Sequence, residues 1–186
     1  PNMRIAHCGH ATVATFSYLA ELGRVQEGET STETVDGPRK IIIKEGAAYM
    51  EQTAPTYSTS KEWSAVDVTN DTVLNSLGLT NEDIDLRVDP MLVNTGNGFI
   101  VVGVKSARIL KGIRPDQDAI AAISEKLDLI GYYVFTTDTS ATQHDATTRM
   151  FAPRYAITEE SATGMAGGPL ACLLHDYLDI KDGKIT

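Results

Sequence analysis

A chain of 186 residues, 42% hydrophobic and 22% charged, can bury one sizeable core or two small ones, and its composition excludes a disordered or fibrous protein. Its net charge of −9 opposes binding to a phosphate backbone, and the densest cationic stretch, Arg108 to Arg114, reads as a solvated face, so nucleic acid is not an expected partner. No apolar run approaches the roughly 18 residues of a membrane-spanning helix, and the start, PNMRIAHC, lacks the pattern of a secretory signal, so the expectation is a cytoplasmic protein without a membrane partner.

In chain order, residues 3–7 are extended in character and lead into Cys8-Gly9-His10-Ala11-Thr12. Val13, Phe16 and Leu19 (or Ala20) then recur at helical spacing up to Gly23. This helix carries almost no charge before Glu21, which predicts that protein surrounds it. Strand-like segments follow at Ser31 to Val35, Lys40 to Lys44 and Ala47 to Gln52. They are separated by the turn signals Asp36-Gly37-Pro38 and Glu45-Gly46, which implies antiparallel hairpins. Thr53 to Ser64, rich in Thr, Ser and Pro, reads as a loop. A helix is predicted from about Asp71 to Leu77, capped by Thr69 or Asn70 and ended by Gly78. The tripeptide Asn70-Asp71-Thr72, which matches a glycosylation acceptor, is read as that helix start.

A second series begins near Met91. MLVNTG and GFIVVGV form a strand pair around the hairpin signal Gly96-Asn97-Gly98. Pro115 opens a helix in which Ile120, Ile123 and Leu127 recur. GYYVFTT (131–137) is a strand by its aromatic and β-branched content, and Arg149-Met150-Phe151 is another. After Glu159-Glu160-Ser161-Ala162-Thr163-Gly164-Met165-Ala166 comes a helix of small and apolar residues through Leu178. The two cysteines, Cys8 and Cys172, lie in no zinc-type spacing, and His7, His10, His144 and His175 are too scattered to form a ligand set, so no metal is expected.

The two ends repeat. With Gly9 placed over Gly164, each has an extended arginine-containing segment upstream (Arg4-Ile5-Ala6; Arg149-Met150-Phe151) and a polar residue before the glycine (Cys8; Thr163). Each then has an alanine two residues on (Ala11; Ala166) and a small-residue helix with Leu19 over Leu174. That pattern suggests two homologous lobes. A glycine at a strand-to-helix junction allows close approach of a ligand, and the helix start offers unpaired N–H groups and a positive dipole end to an anion. Two such starts face to face would clamp a small carboxylate. The plainer alternative is that both glycines only permit tight turns and close helix packing.

Cys8-Gly9-His10-Ala11-Thr12 resembles the Gly-His-Ala-Thr signature of the PhzF-like (phenazine-biosynthesis-like) isomerases. Arg149-Met150-Phe151-Ala152-Pro153, followed by Glu159 to Ala166, resembles their second signature. The resemblance covers essentially the whole chain. It implies an α+β fold of the diaminopimelate epimerase type, with two related lobes, each a curved, mostly antiparallel sheet wrapped around a central helix and the site in the cleft between. Residues 1–89 would be the remainder of the first lobe and 90–186 most of the second. The family's N-terminal segment and C-terminal strands are expected to be missing.

The resemblance further implies movement of a proton, and thereby a double bond, in a small carboxylic acid, without metal or organic cofactor. His10 and Glu160 are the candidate catalytic residues; Gly9, Ala11, Thr163, Gly164, Met165 and Ala166 are the candidate substrate-binding ones. The family's principal acid-base glutamate precedes the first signature, so Glu45 and Glu51, which follow it, do not correspond to it. Glu160 stands where aspartate is usual, Ser161 where proline is usual, and Met165 where serine is common. Cys8 and Thr163 hold the positions where a two-thiol epimerase needs cysteines, which argues against that chemistry. Cys172, in mid-helix, reads as packing. The alternative function is a non-catalytic fragment that binds a small anion. The open sheet edges of a partial fold also predict self-association, most simply as a homodimer.

Overall fold

The computed structural model describes residues 8–35, 37–139, 144–180 and 184–185. Its first sheet is a three-stranded antiparallel meander of β1 (Gly28–Thr34), β2 (Gly37–Lys44) and β3 (Ala47–Met50). Glu45 and Gly46, which join β2 to β3, both have positive φ (53° and 76°), the turn geometry whose twist matches that of the flanking strands. Period-two alternation sorts β2 into two faces: Arg39, Ile41 and Ile43 point inward, and Lys40, Ile42 and Lys44 outward. The inward face receives helix α1 (Gly9–Glu21), whose Val13, Phe16 and Ala20 pack on Ile41, Ile43 and Ala48. The Ala48 amide also donates to Ser17 Oγ at 3.0 Å.

The expectation that α1 is surrounded by protein is not met among the described residues, for α1 contains no buried residue. Tyr18 is 60% and Leu22 53% exposed. Three strands spaced about 4.8 Å apart span only about 10 Å, roughly the width of one helix with its side chains. Such a sheet covers one side of α1 and, among the described residues, leaves Tyr18 and Leu22 in solvent.

The second sheet has six strands in sequence order: β4 (Thr56–Ser58), β5 (Met91–Asn94), β6 (Gly98–Gly103), β7 (Gly131–Thr136), β8 (Thr147–Ala152) and β9 (Ile157–Glu160). All neighbours are antiparallel except β6 and β7. A parallel pair needs a crossover, supplied here by α4 (Ala107–Gly112) and α5 (Gln117–Lys126). Every residue of β6 and β7 is buried, because both faces of this sheet are covered. Ile100, Val102, Tyr132 and Val134 face a core shared with α4, α5, α2 (Ser60–Trp63) and α3 (Asn70–Ser76). Phe99, Val101, Tyr133 and Phe135 face α6 (Gly164–Tyr177), which contributes Ala166, Leu170, Leu173 and Leu174.

The α+β fold class expected from the sequence is the one observed, with differences of detail. Thr53 to Ser64, read as a loop, contains β4 and α2. The sheets also divide between Met50 and Thr56, upstream of the division expected at residues 89 and 90, because β4 pairs with β5 and α3 shares its core with β6. As expected of a solvated face, Arg108, Lys111 and Arg114 are exposed, while Leu110 and Ile113 between them are buried. The upstream segment Arg4-Ile5-Ala6 of the internal repeat lies outside the described residues. No helix among those described is long and apolar enough to cross a membrane.

Candidate functional site

The two glycine-led helices begin in the same way. Cys8 before α1 is extended, with φ −115° and ψ 103°, and Thr163 before α6 has φ −131° and ψ 89°. Neither residue caps its helix with a side-chain hydrogen bond. The main-chain ladder starts alike: Thr12 N–H donates to Cys8 O, and Gly167 N–H to Thr163 O, each at 3.2 Å. In α6 the Ala166 amide also donates to Thr163 O at 3.2 Å, which leaves the Gly164 and Met165 amides ahead of the ladder; such amides and the aligned peptide dipoles make each helix start an anion-attracting end.

Both starts open on one cleft of about 350 Å³, lined by Gly9, His10, Val13, Ala14, Met50, Gln52, Gly164 and Met165. Val13, Ala14, Met50 and Met165 give it apolar walls. His10 is the one ionisable side chain among the described lining residues. The starts come close together: a Cβ built on Gly9 would lie 3.4 Å from Met165 Cγ. Met165 Sδ in turn accepts a hydrogen bond from Asn97 Nδ2 at 3.2 Å.

The sequence-predicted residues divide into two groups. Gly9, His10, Gly164 and Met165 line the cleft. Ala11, Glu160, Thr163 and Ala166 are not among its lining residues. Ala11 borders a shallow depression beside Thr12, Thr15, Phe16 and Thr32. Ala166, in the first turn of α6, is fully buried against the large sheet. The hydroxyl of the buried Thr163 donates to Glu160 Oε2 at 3.0 Å, so the Glu160 carboxylate engages the residue before α6. Gln52, Met50 and Ala14 carry no site signal in the sequence, and Val13 figures there only as a residue of the helical spacing. They follow no motif, and only the fold brings the end of β3 beside the first turn of α6.

Cys172, on α6, has its thiol pushed up by burial and then by the Asp176 carboxylate, which keeps it a poor nucleophile. Among the described residues, no three His, Cys, Asp or Glu side chains gather where they could hold a metal ion. His7 lies outside those residues.

Two lobes opening on a shared cleft, each presenting a glycine-led helix start, define a two-lobed α+β protein with a small-molecule-sized site. The chain belongs to the phenazine biosynthesis-like (PhzC–PhzF) family, whose model matches residues 1–186. It is similar to the uncharacterized isomerase YddE of Escherichia coli, 30% identical over 193 residues that take in 100% of this chain and 62% of the relative. It is also similar to trans-2,3-dihydro-3-hydroxyanthranilate isomerase of Pseudomonas chlororaphis, 28% identical over 140 residues, which cover 74% of this chain and 43% of that protein. The fold is shared with the crystal structure of a Bacillus anthracis phenazine biosynthesis protein of the PhzF family. The TM-score is 0.78 at 23% identity, covering 97% of this chain and 60% of that one. The chain thus spans about 62% of the length of curated relatives that it matches.

Proposed function

We propose that the protein acts as a phenazine biosynthesis-like isomerase, moving a proton and with it a double bond in a small carboxylate, without metal or organic cofactor. The observation that carries this reading is the convergence of two uncapped helix starts, at Gly9 and Gly164, on one mostly apolar cleft. The carboxylate would lie against the first-turn amides, and Val13, Ala14, Met50 and Met165 would hold its carbon skeleton. Removing a proton from a neighbouring carbon throws negative charge onto the carboxylate oxygens, where preorganised amides stabilise it most. His10 would orient the substrate or carry a proton at its imidazole. Glu160, through the Thr163 hydroxyl, would steady the start of α6. The hydroxyanthranilate named for the Pseudomonas relative is a carboxylate of suitable class, which supports the reading.

The test is a crystal soaked in a small dicarboxylate. Density between the Gly9 and Gly164 amides is expected, and density confined to other parts of the surface would refute the assignment. A second reading, a non-catalytic module that binds a small anion, is favoured by the cleft lining, which offers His10 but no carboxylate among the described residues. The proposal includes a homodimer, supported by the bare side of α1 at Tyr18 and Leu22. The charge of −9 argues against a nucleic-acid partner.

A further inference from the structure

Gln52 is the residue at which the chain passes from one sheet to the other. The Glu51 amide donates to the Lys40 carbonyl of the small sheet at 2.9 Å, and the Thr53 amide to the Thr95 carbonyl, just beyond β5 of the large sheet, at 3.1 Å. Between them the Gln52 side chain enters the cleft and is held from two directions. The hydroxyl of the buried Thr95 donates to Oε1 at 2.5 Å, and Nε2 donates to the Gly164 carbonyl at 3.4 Å. These partners fix which end of the amide is which, because a main-chain carbonyl can only accept, so the nitrogen must face Gly164. Gly168, one turn further along α6, makes the room: a Cβ there would overlap Oε1, Cδ and Nε2 of Gln52.

A primary amide nitrogen carries two protons. The Gly164 contact uses one, at the long end of the range for such bonds, and leaves the other for the cleft. Gln52 also carries the one side-chain amide among the described lining residues. We infer that Gln52 is a specificity-determining residue, whose amide N–H selects a small carboxylate bearing a second acceptor oxygen over the same acid without it. The inference rests on the carboxylate reading above and narrows its ligand class to oxo acids and their like. Donation to a ligand oxygen discriminates because a ligand lacking that oxygen leaves the held amide unpaired in an apolar cleft.

The test compares 4-oxopentanoate with pentanoate, which differ by one keto oxygen, by calorimetric titration of the 186-residue chain. The oxo acid should bind about fivefold more tightly, the worth of one neutral hydrogen bond. Gln52→Ala should erase that preference, so that the two acids bind equally. Thr95→Val, which frees the amide without removing it, should reduce the preference. A second readout needs no variant: in the 15N-labelled chain the Gln52 side-chain amide signals should move with the oxo acid and stay with pentanoate. Equal binding of the two acids, a preference that survives Gln52→Ala, or unmoved amide signals would overturn the inference and leave carboxylate binding standing. Binding of neither acid would overturn both.

Discussion

Gly9 and Met165 meet across the cleft, one opening α1 and the other in the first turn of α6, with the absent Cβ of Gly9 only 3.4 Å from Met165 Cγ. The contact joins the two lobes where the helix starts converge, and its Met165 side is an unbranched arm able to shift. Gly9→Ala should therefore cost less than about 1 kcal/mol of stability. Gly9→Leu projects a side chain into the cleft itself. It should weaken binding of a small carboxylate at least tenfold with little change in melting temperature. Calorimetry beside a thermal scan separates the two effects, and unaltered binding by the leucine variant would remove this cleft as the site.

Gly131 is required for a different reason. It opens β7, pairs with Phe99 of β6, and faces β8 so closely that a Cβ would overlap the Phe151 carbonyl oxygen and crowd Ala152. Main-chain atoms inside a covered sheet cannot swing aside as a methionine can. Gly131→Ala is expected to cost about 3 kcal/mol through overpacking. Denaturant unfolding measures it, and a loss below about 1 kcal/mol would show that the strands part without strain.

Arg149 ties three elements together. Its guanidinium donates to both carboxylate oxygens of Glu159 at 2.7 and 2.8 Å, and to the carbonyls of Leu110 and Ile113 at the end of α4, each at 3.0 Å. Arg149→Met leaves those carbonyls without this donor and should cost about 2 kcal/mol. The hydrogen bond from Arg149 also lowers the Glu159 carboxyl below its ordinary 4.5. A depressed carboxyl stabilises the fold fully above the unfolded value and loses that contribution as pH falls through the folded one. Glu159→Gln should therefore flatten the pH dependence of stability below about pH 4.5 and leave its shape unchanged at neutral pH. Glu159 is half in solvent, so the flattening will be modest. Unfolding curves at pH 3, 4 and 7 provide the comparison.

What the sequence made legible were features with a local cause. The starts of α1 and α6 follow from glycine placed directly after a non-helical residue, Cys8 and Thr163. The start of α3 follows from Thr69, whose hydroxyl accepts from the Thr72 amide. The β5–β6 hairpin is signalled by its glycines, although the turn falls at residues 95–97, where Gly96 has φ 110°, and Gly98 pairs with Asn94; α5 follows from the spacing of Ile120 and Ile123, although Asp116 and not Pro115 caps it. Features decided by distant partners stayed hidden. The three-residue β4 exists because β5, more than thirty residues on, offers it an edge. The pairing of β6 with β7 as parallel neighbours depends on how α4 and α5 cross over. Half of the expected site residues reach the cleft, because helical spacing sends Ala11 and Ala166 to other faces of their helices. Gln52 carries no motif and acquires its position only when the two sheets are placed side by side.

The bare side of α1 supplies a prediction about assembly. Tyr18 and Leu22, one turn apart, are large apolar side chains left in solvent. If they form the contact of a symmetric pair, light scattering at micromolar concentration should show a dimer. The double substitution Tyr18→Glu with Leu22→Glu should then yield a monomer of unchanged secondary structure. A monomeric unmodified chain would remove the homodimer from the proposal.

The last prediction concerns proton transfer. Moving a carbon-bound proton requires a base within hydrogen-bond reach of the substrate and with a proton affinity matched to the working pH. Among the described cleft residues only His10 is ionisable, and the Glu160 carboxylate already accepts from Thr163. The helix starts can hold a carboxylate and stabilise charge developing on it, but stabilisation without a base leaves the carbon–hydrogen bond intact. On the second reading, a module that binds without reacting, the 186-residue chain holds a small carboxylate weakly and exchanges no substrate proton above background, whereas the isomerase reading requires exchange with His10 as the base. The measurement is deuterium incorporation into candidate acids in heavy water, with the unmodified chain and His10→Ala side by side. Background incorporation by both, together with binding by both, would fit a cleft that holds without reacting. Robust incorporation by the unmodified chain that disappears in His10→Ala would overturn the non-catalytic reading and make the His10 imidazole the base.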